Sequence, residues 1–137
     1  MSFRVNLDRR ALVFASTLIL SLMGAPAAAR QNQALDALRE AYPGVRVHVE
    51  GRRIAAIYGV PMTPGGSPAE AAATFLSAHS EAFGIGIPTL TRTWQAKPRE
   101  GHLNTFAYTQ TIEGYRVVGA LLRIGVLDSD PPRVSFA

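Results

Sequence analysis

Residues 105–126 read TFAYTQTIEGYRVVGALLRIGV, and the fold turns on how this stretch folds back. Phe106, Tyr108, Gln110 and Ile112 fall in a strand-favouring run. Glu113-Gly114 follows, and a second apolar, partly β-branched run begins at Tyr115. Two such runs around a Gly-containing pair predict a β-hairpin. Gly114 suits the turn because positive φ costs glycine nothing in sterics. Gly119 and Gly125 lie inside the second run. There a glycine predicts a bulge, a bend or a close backbone approach.

Upstream, Ser67-Pro68-Ala69-Glu70 opens the clearest helix. Ser67 can cap free N–H groups, Pro68 loses no hydrogen bond at the first helical position, and Glu70 can reach back. Ala72, Phe75, Leu76, His79 and Phe83 recur at helical spacing and form one face. Gly84 ends it as a left-handed cap. Phe75, Leu76 and Phe83 are the expected helix contribution to the core. A shorter amphipathic helix is predicted over 31–42, stopped by Pro43-Gly44. Val45, Val47 and Val49 then alternate with polar residues, which predicts a half-buried strand. A turn over 50–53 and a returning strand over 54–58 complete a first hairpin. A Gly- and Pro-rich loop covers 59–66. A strand containing Trp94 is expected over 90–96, with a polar turn over 97–101. The hairpin strands are expected over 103–112 and 115–127. After a turn at 128–132, one more strand begins at Arg133 and is expected to be cut short at Ala137.

These elements predict an α+β domain, an antiparallel sheet of hairpins against one main helix. The segments divide as 30–66, the first helix and hairpin, and 67–137, the main helix and remaining strands.

Residues 1–29 read as an export signal: Arg4, Arg9 and Arg10, a 13-residue apolar core over 11–23, then Gly24-Ala25-Pro26 and three alanines. The apolar core is shorter than the ~20 residues of a membrane span. Cleavage near Ala29 is expected, with a secreted or periplasmic product and no stable membrane anchor afterwards.

The 137-residue chain carries a net charge of +4, of which +2 sits in the first ten residues. The charges elsewhere are scattered, and no basic stripe interleaves with aromatics, which argues against nucleic acid. There are no cysteines, so disulfides and thiolate metal sites are excluded. His48, His79 and His102 have 30 and 22 residues between them. None makes the i, i+4 pair of a helical metal site, and no H-E-x-x-H occurs. A G-x-S-x-G nucleophile elbow is missing too. Glu50, Glu70, Glu81, Glu100 and Glu113 fall in turns or helix ends, where carboxylates are ordinarily solvated or capping. No catalytic residue, metal ligand or cofactor is expected. Trp94, Tyr108 and Tyr115 are candidates for a partner surface, wherever strand alternation turns them outward.

The string over 106–120, FAYTQTIEGYRVVGA, resembles the core of the fungalysin/thermolysin propeptide domain, FTP. That pattern is an aromatic strand, a glutamine, a short gap, then Gly-x-x-Val-x-Gly and an apolar strand, here Gln110, Gly114, Val117 and Gly119. Arg116 departs from the proline of many members. The alanine-rich start of the main helix, Phe75-Leu76, His79 and Phe83-Gly84 are similar to the helix before those strands. The resemblance spans 67–137. It implies a non-catalytic propeptide region of a secreted zinc metalloprotease precursor, one that inhibits the protease domain and chaperones its folding. The protease catalytic domain would be the partner, and the four motif residues would be structural. The alternative is a stand-alone exported module of the same fold that binds a protein or peptide.

Overall fold

A computed structural model describes residues 26–51, 53–85, 89–97 and 101–137. The proposed signal core over 11–23, Arg52 of the first turn and residues 98–100 of the 97–101 turn lie outside the described residues. The elements run α1 (Ala27–Ala41), β1 (Arg46–Glu50), β2 (Arg53–Tyr58), α2 (Pro68–His79), a 3-10 segment (Ser80–Phe83), β3 (Leu90–Ala96), β4 (Leu103–Ile112), β5 (Tyr115–Leu127) and β6 (Arg133–Phe136). The six strands form one sheet in the order β1-β2-β6-β5-β4-β3. Every neighbouring pair is antiparallel. The α+β architecture is as the sequence periodicity predicts. β6 stitches the first hairpin to the meander of β3, β4 and β5.

Helix α2 packs on β4, β5 and β6. Its N-terminus is built as the sequence requires. Ser67 is extended, at φ −147° and ψ 160°, and its side chain accepts the Glu70 N–H. Glu70 Oε2 accepts the Gly66 N–H at 3.0 Å, one residue earlier than the reciprocal partner of a capping box. The helix narrows to the 3-10 segment after His79, and Gly84 closes it at φ 69°. The tighter turn explains why Phe83 is only half-buried, whereas Phe75 and Leu76 are buried as expected.

Helix α1 begins at Ala27 and ends at Ala41, with Tyr42 as its C-cap. It therefore starts four residues before the predicted Gln31. Ala27, Ala28 and Ala29 have the highest helix propensity of any residue, and Pro26 is compatible with a helix start. Leu38 is its fully buried anchor. Gln31 Nε2 donates to the Ala82 carbonyl at 3.0 Å, which ties α1 to the 3-10 segment.

The core lies between the helices and one face of the sheet. Phe106 and Tyr108 of β4, Leu122, Ile124 and Val126 of β5, and Val134 of β6 face it together with Ile57, Met62 and Phe75. Register enforces this, since Phe106 pairs with Ile124 and Tyr108 with Leu122. Ala107, Thr109, Leu121 and Arg123 consequently point to the other face. Trp94 pairs with Ala107 and shares that face. At its centre the Phe136 ring lies against Gly125, where any Cβ would collide with it.

Candidate functional site

The β4–β5 hairpin is regular near its base and irregular near its tip. Thr109 pairs with Leu121, but Thr111 pairs with Arg116 and Ile112 with Tyr115. Gln110 alone therefore stands opposite residues 117–120. This large bulge needs one left-handed residue, and Gly119 supplies it at φ 79°. At the turn Glu113 and Gly114 both have positive φ, 51° and 84°, as a two-residue type I′ turn demands. Gln110 Nε2 donates to Thr89 Oγ1 at 3.4 Å, which links the bulge to the start of β3.

From its residues alone, β5 reads as an unbroken strand with a glycine irregularity. Gly119 was the available signal for the bulge. Its size is not legible in the sequence, because Val117 and Val118 are themselves good strand formers and the register across the hairpin is a pairing property. Gln110, Gly114, Val117 and Gly119 converge on this tip.

The bulged tip exposes apolar side chains. Tyr115 is 80% and Val118 97% exposed. Ile112, beside Tyr115 across the turn, and Leu121 are about half exposed. Trp94 is also exposed, on the helix-free face. Tyr108 corrects the expected contact surface. It is 8% exposed and faces the core, because it alternates in phase with Phe106. Burial raises the pKa of its hydroxyl, a shift partly opposed by the Arg92 charge. Arg92 stands 6.0 Å from the centre of the Phe106 ring. The outward aromatics are thus Trp94 and Tyr115.

Beside the tip, β2 and β5 border a groove of 940 Å³ that reaches from Glu50 and Arg53 down to Phe136 and Ala137. Phe83, Ile85 and Leu90 line it as well.

His79 does not lie in this groove. The Tyr42 hydroxyl is 3.2 Å from His79 Nε2 and 2.7 Å from Thr63 Oγ1. The Tyr42 ring meets the imidazole edge-on at 5.4 Å, and Phe75 packs at 5.0 Å. Burial lowers the His79 pKa below 6.5. A neutral imidazole in this aromatic and hydroxyl setting is a packing group that joins α1, α2 and the 59–66 loop. His48 is exposed and 3.5 Å from Glu50, while His102 is exposed at the start of β4. Among the described residues no three His, Asp or Glu side chains group as a metal site. No described helix is long and apolar enough to cross a membrane. No protein-family model, curated protein or solved structure matches the chain.

Proposed function

We propose that this chain is a non-catalytic, exported propeptide-type region that inhibits and chaperones a thermolysin- or fungalysin-like metalloprotease domain. The observation that carries this reading is the bulged β4–β5 tip. The four residues of the FTP resemblance all lie there, and Gly114 and Gly119 hold backbone conformations that other residues resist. The tip that they shape holds out Tyr115 and Val118, the kind of apolar projection that a protein partner covers. Covering the protease cleft blocks substrate, and binding the folded state in preference to the unfolded one favours folding by mass action.

The test is to add the purified chain to a thermolysin-type protease, both active and during refolding from denaturant. Slowed turnover or a raised refolding yield is expected. Val118→Asp should abolish either effect while leaving the fold intact, because this side chain is almost wholly in solvent. A chain that alters neither activity nor refolding overturns the protease reading.

The second reading, a stand-alone exported module that binds a peptide, is favoured by the groove between β2 and β5.

A further inference from the structure

The sheet is bounded by two outer strands, β1 and β3. Among the described residues each has one strand partner, β2 for β1 and β4 for β3. The outward side of such a strand presents backbone N–H and C=O groups to which another strand can pair. The two edges differ in regularity. β3 carries an extra residue, Thr93, between the pairs Arg92–Tyr108 and Trp94–Ala107, and a bulge bends an edge away from pairing. In the β1–β2 ladder the extra residue is Ala55 of β2, between the partners of His48 and Val49, so β1 itself is unbroken. It is also open to solvent. Arg46, His48, Val49 and Glu50 are exposed, and a methyl group added at Gly51, next along the chain, would meet no atom within 4 Å.

The order of residues along β1 is self-complementary. It reads Arg-Val-His-Val-Glu over 46–50. Laid antiparallel on a second copy about a two-fold axis at His48, Arg46 meets Glu50, Val47 meets Val49 and His48 meets its own counterpart. Directly opposed residues interact, and opposite charges do so favourably. Val47 pairs with Ile57 of the core, so both valines lie on the helix side and the three polar residues on the helix-free side. Two Arg46–Glu50 pairs therefore form on one face, while Val49, 48% exposed, is covered on the other. Sliding the register by two residues forfeits both charge pairs, and sliding it by one sets valines against charges. A parallel pairing in register sets Arg46 on Arg46 and Glu50 on Glu50. β3 has Arg92 and no acidic residue, so no register gives it the same complementarity.

We propose that β1 is a self-recognition edge, at which a second copy of this chain pairs antiparallel about His48 and joins two six-stranded sheets into one. The contact is isologous, so it closes at two copies. Five residues a side form about four to six ladder hydrogen bonds. That is a small contact beside the ~1,600 Å² of a standard stable interface, so the dimer is reversible and depends on concentration. The proposal does not rest on the protease reading, which concerns the β4–β5 tip.

The test is sedimentation equilibrium of the whole chain from about 10 μM to about 1 mM, the range in which a weak interface is populated. The average mass is expected to rise from one chain towards two and no further. Glu50→Arg sets an arginine against Arg46 in both pairs and should weaken dimerisation by at least about tenfold. Adding Arg46→Glu restores both pairs with the signs exchanged. The doubly substituted chain should dimerise with itself as the parent does, yet not with the parent, where like charges would meet at both positions. Arg46 and Glu50 are exposed, so both variants should fold. Association through the apolar run over 11–23 would be blind to these charges. Three results overturn the proposal: a monomer throughout the range, a dimer of unchanged strength in Glu50→Arg, or a charge-exchanged chain that pairs with the parent as well as with itself.

Discussion

Phe136 of β6 lies against Gly125 of β5 so closely that the ring occupies the volume of a Cβ at that position. The pair closes the helix-free face of the sheet where β6 joins β5, and it does so by removing a side chain rather than by adding one. Gly125→Ala should therefore destabilise the fold by about 1–3 kcal/mol through overpacking. Phe136→Ala removes the obstacle. In that background the Gly125→Ala change should cost far less, a coupling that a double-mutant cycle in urea reads directly. Additive effects of the two substitutions would refute the contact.

Asn104 makes a second prediction on the opposite face. It sits on β4 beside Val126, 3% exposed, and its side-chain Nδ2 has no hydrogen-bond partner. A buried amide donor left unpaired costs about 1–3 kcal/mol. Asn104→Val removes that donor, fits a pleated apolar face, and should raise the urea midpoint. A lowered midpoint would mean that the amide is satisfied in solution.

These two residues mark the boundary of what the sequence made legible. The strand limits of β3, β4 and β5 followed from runs of strand-favouring residues, and the cap at Ser67 followed from Ser-Pro-x-Glu chemistry. Gly125 was readable as a close approach, but its partner was not. Phe136 is eleven residues away and meets Gly125 only through the β5–β6 register. The same limit hid the groove bordered by β2 and β5, which arises from a pairing between the first hairpin and the last strand. Tyr108 and Tyr115 looked alike as strand aromatics. Tyr115 pairs with Ile112, which alternates in phase with Tyr108, so its exposure comes from its place at the hairpin tip beyond the core and not from the face it occupies. Helix α1 began earlier than expected because alanines read as a cleavage signal are also helix formers.

At the hairpin turn, Glu113 holds φ 51°, a conformation that asparagine and glycine adopt more readily than glutamate. Glu113→Asn should stabilise the chain by a few tenths to about 1 kcal/mol. Gly119→Ala should do the reverse. No atom lies within 4 Å of the added methyl group, so the loss, about 1 kcal/mol, would come from left-handed backbone alone. Thermal or urea unfolding of both variants checks the pair. An unchanged Gly119→Ala midpoint would remove the bulge geometry from the account of the tip.

His79 gives the fold a pH dependence whose direction is fixed by burial. Its pKa is lowered in the folded chain relative to 6.5, so the unfolded chain binds the proton more tightly. Stability from this group is fully present above about pH 6.5 and declines as pH falls through the lowered folded value. The charged imidazole would have to sit against Phe75 and within 5.4 Å of the Tyr42 ring. His79→Gln keeps a polar side chain near the Tyr42 hydroxyl and cannot titrate. Urea midpoints measured at about pH 7.5 and about pH 5.5 should fall in the parent chain and fall less in the variant. An equal fall in both chains would assign the dependence to another group and leave His79 as a packing residue alone.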